Sequence, residues 1–132
     1  MNIPFQRESD SGLIIVSILI DNKFDLKMVF DTGASHTTID SNILYVSGYE
    51  LKDSTGIVDI ETANGIIQTE VFEVKQFTSL GIERSQFPIQ VYDFLAHGIY
   101  SDYNGLLGLD FLEDKKFCVD TLNNYISIND AI

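Results

Sequence analysis

Residues 28–39 read MVFDTGASHTTI, and this stretch decides how the rest of the sequence is interpreted. Its first residues, 28–30, are apolar and form the end of a predicted buried strand, after which the chain turns at Asp31. Thr32 can hydrogen-bond through its hydroxyl, and Gly33 permits the close approach of another backbone segment. One interpretation is an ordinary turn in which Asp31 caps its own backbone. The apolar run before it and the small residues after it favour instead a carboxylate placed for chemistry at the edge of a core.

The composition indicates a folded globular protein and argues against nucleic-acid binding. The chain has 132 residues, of which 45% are hydrophobic, and this length suits one domain with one core. No Gly/Ser-rich linker divides the sequence, so a single domain over residues 1–132 is predicted. The formal net charge is −12, from 20 acidic and 8 basic residues, and such a surface would repel the phosphates of nucleic acids.

Few residues are available as metal ligands. His36 and His97 are the only histidines and Cys118 is the only cysteine, so the sequence predicts no metal site and no cofactor. Cys118 stands between apolar residues and is expected in the core. The longest apolar run, Leu13–Ile20, is too short to span a bilayer, and no signal-peptide pattern opens the chain. These features predict no membrane partner and a reducing, cytoplasmic setting.

The hydrophobic pattern is mostly that of short β-strands separated by turns. Alternation of apolar and other residues is clearest at Phe24–Phe30. Short helices are predicted at Ile43–Ser47 and Leu109–Lys115, and a loop at Tyr92–Asn104. This pattern favours a mostly β fold, either a small barrel or a sandwich. The predicted strands are Asn2–Glu8, Leu13–Ile20, Phe24–Phe30, Ile57–Glu61, Ile66–Val74, Phe77–Leu80, Phe87–Tyr92, Phe117–Val119 and Tyr125–Ile128.

A β-hairpin is predicted with its turn at residues 62–65, which read Thr62-Ala63-Asn64-Gly65. Asn-Gly between two β-rich segments is the strongest short hairpin signal, and Gly65 gives the turn conformational freedom. Taken alone, the pattern is typical of an ordinary surface hairpin.

A third motif, Leu106-Leu107-Gly108, lies just before the second predicted helix. An apolar pair followed by glycine is common and by itself indicates only a core position. The glycine becomes informative where two backbone segments nearly touch, because a side chain there would keep them apart.

In this order, the three motifs resemble those of the retropepsin-like aspartic proteases, and the resemblance covers residues 13–128. It implies an acid-protease barrel with a flap, meaning a mobile hairpin over the substrate, and one or two short helices. It also implies an aspartic endopeptidase in which Asp31 is catalytic. The other implied site residues are Thr32, Gly33, Ala34 and Ser35 in the active-site loop, Thr62, Ala63, Asn64 and Gly65 in the flap, and Leu106, Leu107 and Gly108 in the loop behind the site.

The resemblance further implies a homodimer that acts on a peptide or protein substrate without a cofactor. Peptide hydrolysis by carboxylates requires two, and the chain has one Asp-Thr-Gly. Asp120-Thr121-Leu122 lacks the glycine and is interpreted as structural. The dyad would therefore combine Asp31 from two subunits.

Two positions depart from the viral members of the family. Those enzymes commonly carry Arg after the supporting glycine and Asp two residues beyond the catalytic glycine, where this chain has Leu109 and Ser35. The chain therefore resembles the bacterial branch more than the viral one. A non-catalytic peptide-binding or dimerisation domain with the same fold is the alternative function, and the intact Asp-Thr-Gly favours the enzyme.

Overall fold

Strands dominate the structure, a computed structural model that describes residues 1–62 and 65–130. The helical segments among these residues are one α-helix, α1 (Ser41–Val46), and 3-10 helices at Leu51–Asp53, Leu95–His97 and Leu109–Leu112. The mostly β character predicted from the sequence is confirmed. The strands are β1 (Asn2–Pro4), β2 (Gln6–Arg7), β3 (Ile14–Ile20), β4 (Phe24–Phe30), β5 (Thr38–Asp40), β6 (Gly56–Thr62), β7 (Gly65–Ser79), β8 (Ile82–Tyr92), β9 (Gly105–Leu107), β10 (Lys115–Asp120) and β11 (Tyr125–Asp130).

The strands form two sheets. One has three strands in the order β1-β11-β10, and the other has eight in the order β2-β3-β4-β9-β5-β8-β7-β6. Most neighbours are antiparallel, but β9 runs parallel to β4, and β5 runs parallel to β8. In addition, β3 pairs with β7, which is distant from it in the strand order. This antiparallel contact closes the larger sheet. The contact between β9 and β4 brings Leu106 and Leu107 to the end of β4, more than 70 residues earlier in the sequence.

Local sequence explains the β3–β4 hairpin well. The observed strand Phe24–Phe30 has the bounds predicted from its alternation. Asp21 and Asn22 form the turn with φ angles of 54° and 56°, a left-handed conformation that short polar side chains tolerate. The hairpin delivers residue 31 to the edge of the core, because the last three residues of β4 are buried.

The core lies between the strands of the larger sheet and the segment 109–112. Phe77, Phe87 and Phe111 form its centre, with ring centroids 5.0, 5.3 and 5.7 Å apart. These distances suit the tilted and edge-to-face contacts that aromatic pairs prefer. The aromatic cluster therefore anchors the 3-10 helix behind the Asp31 loop to strands β7 and β8.

The structure corrects three predicted elements. The predicted strand Asn2–Glu8 is two strands, because Phe5 is buried and the chain changes partner there, from β11 to β3. Ile66–Val74 and the first three residues of Phe77–Leu80 belong to one strand, β7, since its pairing with β8 continues through both segments, and Leu80 lies in the turn to β8. The predicted helix Leu109–Lys115 is the shorter 3-10 helix Leu109–Leu112, because the chain leaves the helical conformation at Glu113, with a ψ of 139°, and turns at Asp114 into β10.

The expectation that Cys118 belongs to the core is wrong, because its side chain is exposed. Alternation along β10 explains this result: the side chains of Phe117 and Val119 pack against the core, and the intervening residue points to the opposite face. The ring of Phe117 meets that of Phe30 edge-on at 5.9 Å between centroids. None of the helices in the described part of the chain has the length and apolar character needed to cross a membrane.

A buried tyrosine ties the β3–β4 turn to β7. The Tyr49 hydroxyl donates to Asp21 Oδ2 at 2.8 Å and accepts from the Lys75 N–H at 3.0 Å. Asp21 Oδ1 accepts from the Gln76 N–H at 3.0 Å. Burial raises the pKa of the Tyr49 hydroxyl to about 12, and the neighbouring Asp21 carboxylate contributes in the same direction.

This pKa predicts a loss of stability at alkaline pH. Below pH 10 Tyr49 is protonated in both states, so its contribution is fully present, and it declines up to about pH 12 because only the unfolded chain ionises. Tyr49→Phe should lower the free energy of unfolding at pH 8 by about 1–3 kcal/mol. It should also flatten the decline above pH 10, as measured by urea unfolding across this range. Tyr100→Phe, at a position that is 83% exposed, is the matched control. An identical decline in both variants would contradict the prediction.

Candidate active site

The Asp31 loop is a tight turn that follows β4 directly. Asp31 Oδ1 accepts from the Gly33 N–H at 2.9 Å, and the Asp31 carbonyl accepts from the Ala34 N–H at 3.1 Å. The Asp31 side chain is half-buried, while Thr32, Gly33 and Ser35 are exposed. The bond to Gly33 also occurs in ordinary turns, where an aspartate caps its own backbone. It therefore does not by itself indicate catalysis, and the residues around the loop have to be considered.

The motif Leu106-Leu107-Gly108 lies directly behind this loop. Leu106 and Leu107 belong to β9 and pair with Val29 and Phe30 at the end of β4. The Asp31 N–H donates to the Leu107 carbonyl at 3.0 Å. One residue past the motif, the Leu109 N–H donates to the Ala34 carbonyl at 2.8 Å. The structure thus brings together two motifs that are more than 70 residues apart in sequence.

Gly108 is required by space and not by conformation. Its φ and ψ angles of −93° and 178° are accessible to any residue. A Cβ at this position would lie 2.7 Å from the His36 carbonyl carbon and 2.8 Å from the Ala34 oxygen. Both atoms belong to backbone, so relief would require the Asp31 loop to move away from the segment that supports it.

Two residues of this support were missed in the sequence, namely Thr37 and Asp110. Thr37 is completely buried, and its hydroxyl donates to Asp110 Oδ1 at 2.7 Å while its N–H donates to Asp110 Oδ2 at 3.0 Å. The same hydroxyl accepts from the Gly108 N–H at 3.1 Å. One signal was available: Asp110 interrupts an apolar segment, and a carboxylate in such a place needs partners.

The two positions that depart from the viral pattern carry no charge pair. Ser35 Oγ lies 2.9 Å from His36 Nδ1, and Leu109 contributes its backbone to the loop through Ala34. The side chain of Leu109 is 42% exposed. The contact between the Asp31 loop and residues 107–109 therefore depends on hydrogen bonds and not on an arginine–aspartate ion pair.

The predicted hairpin is present as strands β6 and β7, which pair from Gly56–Val71 to Thr62–Gly65. Ala63 and Asn64 lie outside the described residues. Gly65 has a φ of 117°, which residues with a side chain rarely adopt.

A cleft separates this hairpin from the Asp31 loop. A cavity of about 350 Å³ is lined by 33–36 on the loop side and by 59–61 on the hairpin side. A neighbouring cavity of about 300 Å³ is mainly apolar and includes Phe94, Tyr103 and Leu106. Both cavities include Thr38, Ile60 and Glu61 in their lining, so they adjoin each other beside the loop, and together they are called the groove.

The remaining candidate carboxylate is structural. Asp120 Oδ1 accepts from the N–H groups of Leu122 and Asn123, both at 2.9 Å, and Oδ2 accepts from the Asn123 side chain at 3.0 Å. The Asn123 side-chain bond is the main reason that the pKa of Asp120 is lowered. Asp120 therefore closes the β10–β11 turn. Within residues 1–62 and 65–130, no group of three histidine, cysteine or acidic side chains could hold a metal ion.

A closed β-sheet that carries one supported Asp-Thr-Gly loop, with cavities between that loop and a hairpin, is the arrangement of an acid-protease-like fold. The chain belongs to the aspartyl protease family, since the family model described as aspartyl protease matches residues 16–111. The matched segment contains the Asp31 loop, the hairpin strands and Leu106-Leu107-Gly108. A comparison with curated protein sequences gives no significant match.

Solved structures confirm the retropepsin-like fold. A retropepsin-like aspartic protease from Rickettsia conorii is similar, with a TM-score of 0.70 and 23% identity over 96% of this chain and 88% of that one. The EIAV protease in complex with an inhibitor is also similar, with a TM-score of 0.61 and 20% identity over 83% of this chain and 93% of that one. At these identities the likeness establishes the fold, and the reaction requires a separate argument.

The contact at Gly108 yields a stability prediction. Gly108→Ala should lower the free energy of unfolding by about 1–3 kcal/mol, because the added methyl group meets two backbone atoms. Hydrogen exchange should also become faster at the Asp31 and Leu109 amides, which bond across this contact. The control is Gly56→Ala, where no atom lies within 4 Å of the new methyl group and a change within about 0.5 kcal/mol is expected. Equal effects in urea unfolding would show that Gly108 is not a close-contact position.

Proposed function

We propose that this chain is an aspartic endopeptidase in which two Asp31 side chains, one from each subunit of a homodimer, activate a water molecule. The observation that carries the proposal is the Asp31 loop: it is fixed from behind by Leu107 and Leu109 and opens onto a groove under a hairpin. Membership of the aspartyl protease family supports the same reaction. The active unit would contain two copies of one domain, residues 1–132, each supplying half of the site.

The chemistry follows from pairing two carboxylates. Two carboxylates in contact cannot both ionise, so the pair shares one proton. The ionised member takes a proton from water as the water oxygen attacks the peptide carbonyl carbon, and the protonated member gives its proton to the carbonyl oxygen. Breakdown of the tetrahedral intermediate returns a proton to the departing amine and releases a carboxylic acid. Asp31 fills both roles because the two copies alternate as base and acid.

The residues next to Asp31 would prepare this pair. Thr32 is exposed, so its hydroxyl can reach across to the second loop and brace it. The Gly33 N–H orients Asp31 by donating to Oδ1 at 2.9 Å. Ala34 and Ser35 continue the loop into the groove wall, where a bulky side chain would narrow the space for substrate.

The substrate would bind as an extended peptide in the groove. Its side chains alternate, so neighbouring residues of the peptide reach opposite walls. The cavity that contains Phe94, Tyr103 and Leu106 suits a large apolar side chain. Asp59 and Glu61 give the cavity nearer the loop an acidic rim, which favours neutral or basic groups over acidic ones.

The smaller sheet suggests how a second copy could join. Strand β11 lies between β1 and β10, so within the described residues the outer edges belong to β1 and β10. The terminal segments Asn2–Glu8 and Tyr125–Ile132 are short and apolar enough in sequence to pair across a twofold axis. Pairing across a twofold axis would use the edge of β1 or β10 more readily than β11, because an unpaired strand edge is a template for another chain. A reducing cytoplasmic home is compatible with the exposed Cys118.

The central test is Asp31→Asn. The variant keeps the shape of the side chain but removes the base and the acid from both halves of the dimer, so peptide cleavage should fall by at least about 10²–10⁴-fold. Peptide binding should persist, because the groove walls are unchanged. The measurement is cleavage of a peptide library between pH 4 and 7, with binding measured on the same preparations. Asp10→Asn, at an exposed turn, is the control and should retain full activity. A parent that binds peptides and cleaves none would favour the binding-module alternative.

Mixing the parent protein with the Asp31→Asn variant tests whether the two subunits share one active site. If one carboxylate comes from each subunit, mixed dimers contain a single Asp31 and are inactive. Random assortment with a ninefold excess of Asp31→Asn subunits should then reduce activity per parent subunit about tenfold. The same excess of Asp10→Asn subunits should cause no loss. Undiminished activity in the first mixture would show that each chain carries a complete site.

The hairpin is tested by Gly65→Val. A β-branched residue tolerates a φ of 117° poorly, although no atom within 4 Å would clash with its Cβ. If the hairpin closes over substrate, kcat/KM should fall about tenfold or more, whereas backbone strain should lower the free energy of unfolding by about 1–3 kcal/mol. Gly56→Val, at the opposite end of the same hairpin, has open space and no unusual φ, and should leave kcat/KM close to the parent value. Unchanged turnover in both variants would make the hairpin purely structural.

A further inference from the structure

We propose that Thr37 and Asp110 are positioning residues for Asp31, since they fix the far end of the Asp31 loop to the turn behind it. Their catalytic consequence rests on the proposed function, but their effect on the loop does not. Thr37 lies in the stretch 28–39 and Asp110 two residues past Gly108, but neither was among the predicted site residues, and neither lines the cavities beside the loop.

The geometry is a closed set of hydrogen bonds. The Asp110 carboxylate accepts from the Thr37 hydroxyl at 2.7 Å, from the Thr37 N–H at 3.0 Å and from the Phe111 N–H at 2.9 Å. The Thr37 hydroxyl in turn accepts from the Gly108 N–H at 3.1 Å. Both Thr37 and Gly108 are buried, so water cannot replace a bond that is lost there.

This network is the side-chain part of a three-point attachment. The start of the loop is attached through the Asp31 N–H and the Leu107 carbonyl, and its middle through the Ala34 carbonyl and the Leu109 N–H. These two attachments use backbone atoms alone. The third attachment, at Thr37, depends on which side chains are present, and it lies immediately before β5.

The attachment matters because no charge pair is available to replace it. Ser35 and Leu109 stand where an ion pair could otherwise join the loop to the following segment. Without the Thr37 hydroxyl, the Gly108 N–H would be buried and unpaired, and the segment 107–109 that holds the loop would shift to find a partner. Movement there is transmitted to Asp31 through the two backbone attachments.

Two substitutions at position 37 separate the hydroxyl from the methyl group. Thr37→Val keeps the shape and removes the hydroxyl, whereas Thr37→Ser keeps the hydroxyl and removes the methyl group. For Thr37→Val we expect kcat to fall about 10–100-fold with KM changed less than about threefold, because a displacement near 1 Å weakens catalysis by about that factor. Thr37→Ser should restore kcat to within about threefold of the parent.

A second readout does not need activity. Hydrogen exchange at the amides of Asp31, Ala34 and Leu109 should become at least about tenfold faster in Thr37→Val and stay close to the parent rate in Thr37→Ser. If the parent cleaves no peptide, the proposed function fails, and exchange alone decides the positioning role. A less stable Thr37→Val protein with parental kcat per folded dimer and parental exchange in the loop would overturn the proposal.

Asp110→Asn provides a second test of the network in case the Thr37→Val protein does not fold. Asn can accept from the Thr37 N–H and donate to its hydroxyl, but it cannot also accept from the Phe111 N–H. We expect kcat to fall about 3–10-fold and loop exchange to rise in proportion, as the network keeps most of its bonds. Asp10→Asn is the matched control. Equal kcat and equal exchange in these two variants would rule out a positioning role for Asp110.

Discussion

The pairing of β9 with the end of β4 is the contact on which the site depends. β9 has three residues, yet it runs parallel to β4 and antiparallel to β5. It therefore holds both the strand that leads into the Asp31 loop and the strand that leaves it. Parallel strands cannot be joined by a tight turn, so this contact requires a long connection between β4 and β9. The hairpin, β8 and the loop at 93–104 all lie within that connection, and they enclose the groove.

Steric exclusion limits how closely β9 and Gly108 can approach the backbone of residues 34–39. A Cβ on Gly105 would overlap the Thr38 carbonyl oxygen and come within 3.0 Å of Ile39 Cα, and a Cβ on Gly108 would overlap the backbone of His36. The absence of side chains at these two positions allows the backbones to meet, and the hydrogen bonds to Asp31 and Ala34 follow from that closeness. An apolar pair followed by glycine thus marks a backbone contact here, although the same pattern elsewhere indicates only a buried strand.

Sequence reasoning succeeded where local pattern determines structure. Alternation predicted the bounds of Phe24–Phe30, and an Asn-Gly pair between β-rich segments predicted the hairpin strands. It failed where distant residues decide. The Thr37–Asp110 bonds join positions 73 residues apart, and neither residue has a local signature that names its partner. Cys118 was misplaced because apolar neighbours do not reveal which face of a short strand is buried. The composition of 109–115 suits a helix, but a turn at Glu113 and Asp114 ends the helical segment after Leu112.

Twofold symmetry would make the rigidity of the loop unusually important. In the proposed dimer each Asp31 belongs to a different chain, so no covalent path through a single domain fixes the distance between the two carboxylates. A displacement of the loop in one chain is repeated in its partner, and the separation of the carboxylates can change by twice that displacement. Because proton transfer requires hydrogen-bond distances, each half-site must be ordered before the subunits meet. The attachments at Asp31, Ala34 and Thr37 provide that order from within one chain. Sharing a site between subunits is therefore compatible with a small domain only if the loop is fixed at both ends, as it is here.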